Sequence, residues 1–338
     1  MTAVQVLAIS LVLDVQLGAT ARGQIGEQVA SIMSGMNIAA TGKTPLEVRR
    51  ELTAGLEHSL GLDLPLPLRA VTRTARILVL DFGETSVTQA FAYRRTTSVR
   101  TAILEALPNT LLLFGIAALL SATAGLALGL AKTRWAASRL DRGTTLAAMI
   151  LEGTPSWWIG TIVVMVFVYT LRIFPFGSIQ SSPPPEGDWA RLMDRAAHFV
   201  LPVASVFLTR VWGLSLLARS VMLPQYHEDF VMSARGRGIP EWRILGGHTL
   251  RSAAPGLVAT VLQRLLLALS GDIVLEIVFA FPGIGFLLWG ALRGNDINLA
   301  AGILACLACI SSLSLAALDL LHSSLDPRIG AGSAPAST

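Results

Sequence analysis

The chain has 338 residues, of which 53% are hydrophobic and only 14% are charged, and its formal net charge is +4. A soluble domain of this size does not carry so apolar a composition, so these values indicate an integral membrane protein. The small basic excess, with no basic face interleaved with aromatic residues, argues against nucleic-acid binding and fits short positive cytoplasmic loops.

The N-terminal part combines a short apolar run with a longer polar region. Ala3 to Leu17 is apolar except for Asp14. It is shorter than the roughly 20 residues that cross a bilayer, and it lacks the basic start of a signal peptide. The chain from Gly18 to about Arg100 is mixed and polar, which predicts a small extramembrane region.

Two tripeptides in this region look like nucleotide-site motifs. Gly42-Lys43-Thr44 ends like a phosphate-binding loop, but the first glycine of that motif would fall at Asn37. Asp81-Phe82-Gly83 copies a kinase triplet without any other kinase motif. We therefore expect that this chain does not bind or hydrolyse ATP.

Apolar runs that follow predict five more spans, numbered second to sixth with the Ala3–Leu17 run counted as the first, and small residues such as Gly125 and Gly129 lie in the second. The loop from Lys132 to Arg142 is basic, so it should be cytoplasmic, whereas Phe174–Asp188 lacks lysine and arginine and should lie outside. The predicted spans are Leu111–Ala131, Leu146–Leu171, Ala197–Ala218, Gly256 to about Ala280, and Leu299–Leu321. The only cysteines, Cys306 and Cys309, fall in the last span, and we interpret them as packing residues.

Polar residues inside two spans predict sites in the bundle interior. Pro155 should kink the third predicted span and free backbone groups that neighbours or water must satisfy. Arg264, Asp272 and Glu276 lie in the fifth, where each charge costs at least a few kcal/mol unless it faces protein or water. Asp272 and Glu276, four residues apart, should share one helix face with partial neutralisation by Arg264. Structural or cavity-lining contacts are favoured over a metal site.

The stretch from Tyr226 to Pro255 is the longest polar segment between apolar runs in the second half of the chain. It predicts one short helix from Asp229 to Arg235 and a second that begins near Pro240 and runs through Leu250, with a glycine break between them. The small residues Ser233 and Ala234 would let another protein approach closely. Composition alone favours an ordinary cytosolic connector.

This stretch resembles the cytoplasmic "EAA" loop of ABC importer permeases in the dipeptide, oligopeptide and nickel branch, which docks on the ATPase subunit. Its glutamate position holds Met232, and it departs from the branch pattern at Gly236, Gly247 and Ser252. Residues that match and that the resemblance implicates in ATPase coupling are Glu228, Asp229, Ser233, Ala234, Arg235, Arg237, Gly238, Ile239, His248, Leu250 and Arg251. Arg235 and Arg237 are candidates to pair with acidic residues of the ATPase. Contact with lipid headgroups is the alternative, and for Arg237 the two are equally favoured. Residues 226–255 are called the coupling loop below.

Further motifs of this branch occur in the right order along the chain. They are Leu60–Leu66, the looser Asp81–Ser86, Thr154–Gly160, Phe174–Gly177, His198–Pro202, Glu276–Gly285 and Leu325–Ile329. Several motifs in sequence are more specific than any one of them. Candidates for the translocation pathway or gate are Pro155, Trp157, Arg264, Asp272, Glu276, Pro282, Gly283 and Gly285. We interpret Glu276 as a structural anchor and Asp272 as the better candidate for substrate or gate specificity.

The resemblance implies an all-α integral membrane fold, the six-helix type I importer permease. A first transmembrane helix would lie in residues 1–20, although it lacks the family's basic start. An extracytoplasmic insertion would occupy 21–103, and the permease core 104–329. We expect the tail, 330–338, to be disordered.

The function it implies is that of a multi-pass inner-membrane subunit in an ATP-driven, binding-protein-dependent importer. Its partners would be a second homologous permease, two ATPases and an extracytoplasmic solute-binding protein. No catalytic residue, metal or cofactor is expected on this chain, because ATP and Mg²⁺ would bind the ATPases. Peptides are the favoured substrate, with nickel or metal chelates and oligosaccharides as alternatives. Two other classes are disfavoured. A membrane enzyme would need a catalytic cluster, a passive channel would need a repeated pore motif, and the sequence has neither feature.

Overall fold

The computed structural model describes residues 44–59, 98–268, 271–294 and 296–325, with shorter pieces between 23 and 95. The helices are α1 Pro45–Ser59, α2 Val99–Arg134, α3 Arg139–Leu151, α4 Ser156–Val163, α5 Asp188–Tyr226, α6 Asp229–Gly236, α7 Glu241–Arg243, α8 Leu250–Ala268, α9 Ile273–Val278, α10 Ile284–Arg293 and α11 Ile297–Leu325. Segments of π-helix, Val164–Thr170 and Ile244–Thr249, extend α4 and join α7 to α8. The strands β1 Ala90–Phe91 and β2 Arg94–Arg95 form an antiparallel pair. The predicted helix in 1–20 and the predicted tail, 330–338, lie outside the described residues.

Three described helices are long and apolar enough to cross a membrane. They are α2, α5 and residues Asn298–Leu318 of α11, with mean hydropathies of 2.3, 1.7 and 2.2. These helices coincide with the second, fourth and sixth predicted spans. A bent pair of helices raises the number to four in the part of the chain that the structure describes. The count of six therefore stays a prediction.

The third predicted span is bent by 98° between α3 and the helix that begins at Ser156. The break lies at Pro155, whose extended backbone (φ −60°, ψ 138°) precedes α4. Proline has no N–H to donate and disfavours helical geometry at the residue before it. The predicted kink at Pro155 is thus present, as a near right angle.

The fifth predicted span, Gly256–Ala280, is not one continuous helix. Its first part, α8, ends at Ala268, and the chain then passes through Gly271 with φ +75° before α9 begins at Ile273. Asp272 is the N-cap of α9 and Glu276 lies in the first turn of that helix, so the two acids belong to a separate short helix and not to one long span. The high hydropathy on both sides of Gly271 and Asp272 concealed the break.

The chain divides into two compact units, the first made of residues 1–107 and 287–312. In this unit a Cβ at Gly302 would lie 2.9 Å from Val99 Cγ1 and 3.2 Å from Phe82 Cδ1. The Thr85 hydroxyl donates to Asp296 Oδ2 at 2.5 Å. Phe82 of the kinase-like triplet and Thr85 beside it are therefore engaged in packing against distant parts of the chain.

The second unit comprises residues 108–286 and 313–338. Its largest described core joins α2, α4, α5 and α9 through buried residues such as Leu113, Val206 and Leu275. A Cβ at Gly125 would lie 2.6 Å from Leu214 Cβ, and one at Gly129 would collide with Ala218. The two glycines therefore permit the close approach of α2 and α5 that their size predicts.

Charged residues also meet inside this second unit, at the ends of α2 and α5 that the basic loops predict to be cytoplasmic. Arg219 Nη2 donates to Asp141 Oδ2 at 2.9 Å, and Arg219 Nε lies 2.8 Å from Asp141 Oδ1. Lys132 is fully buried, and its Nζ has no hydrogen-bond partner among the described residues. The first residue of the basic loop from Lys132 to Arg142 thus lies in the protein interior.

Candidate functional site

The coupling loop folds as two helices joined by a tight connection. Glu228 has extended backbone before α6, which ends at Gly236, one residue later than predicted. Gly238 has φ +75°, a conformation that suits glycine and strains other residues. Pro240 precedes α7, which continues through the π-helical segment into α8. The predicted helix, hinge and second helix are confirmed, and the second helix runs on past Leu250.

A small hydrophobic core holds the two halves of the loop together. Val231, Ala234 and Ile244 are buried there, and Tyr226 and Ile239 pack against them. Ala234 therefore lies inside the loop, whereas its small size had suggested a place on the contact surface. Leu250 packs in a second cluster with Met222 and other residues of α5 and α8.

An ion pair closes the connection between α6 and α7. Arg235 Nε donates to Glu241 Oε1 at 2.6 Å, and the Tyr226 hydroxyl donates to Glu241 Oε2 at 2.7 Å. The Arg235 guanidinium also lies 4.6 Å from the centroid of the Tyr226 ring. These bonds from Arg235 and Tyr226 hold the pKa of Glu241 below its usual value. Arg235, predicted as a contact for another subunit, thus has partners within the loop.

Most residues of the predicted coupling set are accessible. The exposed members of the predicted set are Glu228, Asp229, Ser233, Arg237, Gly238, His248 and Arg251. Large apolar side chains are exposed beside them, with Met232 at 61% and Trp242 at 64%. Sequence reasoning missed these two, although apolar residues on a short polar helix are a usable signal of a contact surface.

The loop is fastened to the long helices at its base. Ser252 Oγ donates to Gln225 Oε1 at 2.6 Å, which joins the start of α8 to the end of α5. Together with the Met222 cluster, this contact makes α5, the loop and α8 one packed unit.

Glu276 joins three segments of the second unit. It is 1% exposed and accepts hydrogen bonds from Thr110 Oγ1 at 2.7 Å, Gly285 N at 2.7 Å and Phe286 N at 3.1 Å. A Cβ at Gly283 would collide with its carboxylate. Charge-assisted bonds of this kind offset the cost of burying a carboxylate. This arrangement, the Glu276 junction, supports the interpretation of Glu276 as an anchor.

The turn after α9 is buried around this carboxylate. Pro282, Gly283 and Gly285 are all buried, and the Pro282 carbonyl accepts a hydrogen bond from Asn109 Nδ2 at 2.8 Å. A Cβ at Gly285 would lie 2.6 Å from Ile273 Cα. The two glycines of the P-G-x-G pattern are thus needed because Glu276 and α9 leave no room for a side chain at either position.

Asp272 connects the two broken spans. Its Oδ1 accepts from Leu275 N at 3.1 Å as the cap of α9, and its Oδ2 accepts from the Ser156 hydroxyl at the start of α4. Pro155 is exposed beside this contact and Trp157 is partly exposed. The breaks in the third and fifth predicted spans therefore meet at one point.

Arg264 has an acidic partner that the sequence did not suggest. Its Nη1 donates to Glu152 Oε1 at 3.1 Å, and both side chains remain partly exposed. The Glu152 carboxylate lies so close to Gly213 that a Cβ there would collide with it. Arg264, expected to neutralise Asp272 and Glu276 in part, is thus paired with Glu152 at the bend before Pro155.

No group of three or more metal-ligating side chains occurs within the described part of the chain. Long apolar helices, two broken spans with hydrogen-bonded carboxylates at the breaks, and a basic loop fastened to the ends of two helices together define a polytopic membrane permease.

Comparison with known proteins gives the family. Residues 121–331 match the family described as binding-protein-dependent transport system inner membrane components, and the chain belongs to it. It is therefore an inner-membrane protein. The chain is 27% identical over 269 residues to the oligopeptide transport system permease protein AppB of Bacillus subtilis, covering 80% of this chain and 82% of that one. It is 28% identical over 302 residues to the probable D,D-dipeptide transport system permease protein DdpB of Escherichia coli, covering 83% and 85%. A putative peptide transport system permease protein of Brucella abortus is 27% identical over 293 residues, with 86% and 87% covered.

Proposed function

We propose that this chain is the permease subunit of an ATP-driven importer of dipeptides and oligopeptides that works with a solute-binding protein. The observation that carries the proposal is similarity to proteins named as peptide permeases over four-fifths or more of both chains. Nickel or metal chelates and oligosaccharides remain the alternative cargoes.

The assembly proposed is a second homologous permease, two ATPases and an extracytoplasmic binding protein. This chain contributes half of the pathway and no catalytic residue. ATP and Mg²⁺ bind the ATPases.

Coupling is proposed to pass through the exposed face of α6. Closure of the two ATPases on ATP moves the coupling loops of the two permeases, and the attached helices follow as rigid bodies. The internal core of the loop, the Arg235–Glu241 pair and the Ser252–Gln225 bond support this, because a loop that deforms easily does not transmit a displacement.

The gate is proposed to lie where the broken spans meet. Discontinuous helices line the substrate pathway of many transporters, and irregular backbone at membrane depth is tolerated where it faces protein or a cavity. The Ser156–Asp272 bond ties α4 to α9, so a displacement of either helix moves the other.

The test is uptake by the complete transporter in proteoliposomes. We expect labelled tripeptide to accumulate only with ATP and the binding protein. Accumulation of nickel or an oligosaccharide in place of peptide, or uptake without ATP, would overturn the proposal.

A further inference from the structure

Arg210 is a cation within a predicted membrane span, and it has no described partner. It lies eight residues before Ala218, where the predicted fourth span ends, which places it about 12 Å from that end at 1.5 Å per residue. Its side chain is exposed and makes no hydrogen bond or ion pair with any residue that the structure describes. A charge at this depth is costly unless it serves a pathway or a partner.

Arg210 lines a cavity in the second unit. The cavity lies between α2, α5 and α8, and Arg210 and Arg264 both line it. Apart from these two and Ser121, the lining consists of apolar residues and a glycine, among them Phe114 and Val261. None of the described residues that line it is acidic, and its volume is about 30 Å³, enough for one or two water molecules and so for one small polar group.

The charges around the cavity do not balance. Arg264 is paired with Glu152, whose carboxylate is held against Gly213. Arg210, one turn earlier on the same helix as Gly213, has no such acid among the described residues. Two guanidinium groups and one carboxylate leave one positive charge, and a planar guanidinium is suited to bind a carboxylate with two parallel hydrogen bonds.

We propose that Arg210, which lines the cavity together with Arg264, binds the C-terminal carboxylate of the transported peptide. This assignment rests on the proposed function, because it names the group of a peptide substrate that the cavity takes. The cavity has room for one small polar group, and the C-terminal carboxylate is the anionic group that all free peptides share.

The test uses the assembled transporter in proteoliposomes, with trialanine and C-terminally amidated trialanine as probes at equal loading of the binding protein. Arg210→Gln is expected to lower ATP-dependent uptake of trialanine about tenfold or more, because a hydrogen-bonded charge pair is lost, and to change uptake of the amide less than about twofold. Arg210→Lys should recover part of the loss for trialanine alone. Arg191→Gln removes an exposed arginine near the other end of the same helix and should leave both probes unchanged.

An equal fall for both probes would overturn the assignment. If the purified Arg210→Gln complex also contained less of the second permease, such a fall would show that Arg210 pairs with an acidic residue of that subunit. Equal uptake of both probes by wild type and Arg210→Gln would also overturn it. A wild-type transporter that accumulates neither probe with ATP would instead overturn the proposed function. Recovery of the intact complex with Arg210→Gln excludes misfolding as the cause.

Discussion

The coupling loop and the Glu276 junction are both organised by a carboxylate, but in opposite environments. Glu241 is 35% exposed and bonded to one arginine and one tyrosine, whereas Glu276 is 1% exposed and bonded to a hydroxyl and two backbone N–H groups. An exposed ion pair contributes little stability, while a buried charge is expensive once a partner is missing. The loop therefore depends mainly on its apolar core, and the junction on its hydrogen bonds.

The largest effect should come from Glu276→Ala. Thr110 and the N–H groups of Gly285 and Phe286 lose their acceptor in a buried site, so we expect a loss of about 3 kcal/mol or more. Thermal unfolding of the purified complex in detergent measures it. Glu276→Gln keeps one oxygen and should be destabilised less. Equal melting temperatures for wild type and Glu276→Ala would contradict the role given to this carboxylate.

Gly283→Ala should be next. The added methyl group meets the Glu276 carboxylate, and overpacking of this kind costs about 1–3 kcal/mol. Gly246→Ala is the matched control, since a Cβ there meets nothing within 4 Å. The same melting experiment applies, and a Gly283→Ala protein as stable as the control would show that the turn relaxes freely.

Ala234→Leu tests the apolar core of the loop. Because Ala234 is buried against Val231 and Ile244, a larger side chain should disturb the loop and lower the ratio of peptide uptake to ATP hydrolysis. Ser233→Leu, at an exposed neighbouring position, should leave the fold of the loop intact. Limited proteolysis should therefore cleave the loop of Ala234→Leu faster than that of Ser233→Leu. Equal or slower cleavage of Ala234→Leu would contradict the interior placement of Ala234.

Glu241→Gln should have the smallest effect, below about 1 kcal/mol, because both members of the ion pair are about one-third exposed. The pKa of Glu241 is lowered by its bonds, so its contribution is present above the unfolded-state pKa near 4.3 and is lost as pH falls through the lower folded-state value. Fluorescence of the neighbouring Trp242 should change over that acidic range in the wild type and not in Glu241→Gln. The same transition in both proteins would assign it to another group.

The elements that could be predicted from the sequence are those with a local pattern. The apolar runs gave α2, α5 and α11, and the glycine break with Pro240 gave the two-helix loop. The break before Asp272 was missed because hydropathy stays high on both sides, and only Gly271 and the capping residue mark it.

Contacts between distant residues could not be predicted in the same way. Ser156 and Asp272 are 116 positions apart, and Glu152 and Arg264 are 112 apart. No spacing rule links such positions. Even the Arg235–Glu241 pair, six positions apart, crosses a turn whose geometry depends on Gly238 and is not a helical neighbour pair.

Site-specific crosslinking from the exposed face of α6 tests the central claim most directly. Cysteines placed at Ser233 and Arg237 in the complete transporter, with one at Arg191 as the control, would be treated with a short thiol crosslinker. The account predicts crosslinks from Ser233 and Arg237 to the ATPase subunits and none from Arg191. Crosslinks from α6 only to other subunits or to none, in a complex that still transports, would contradict it.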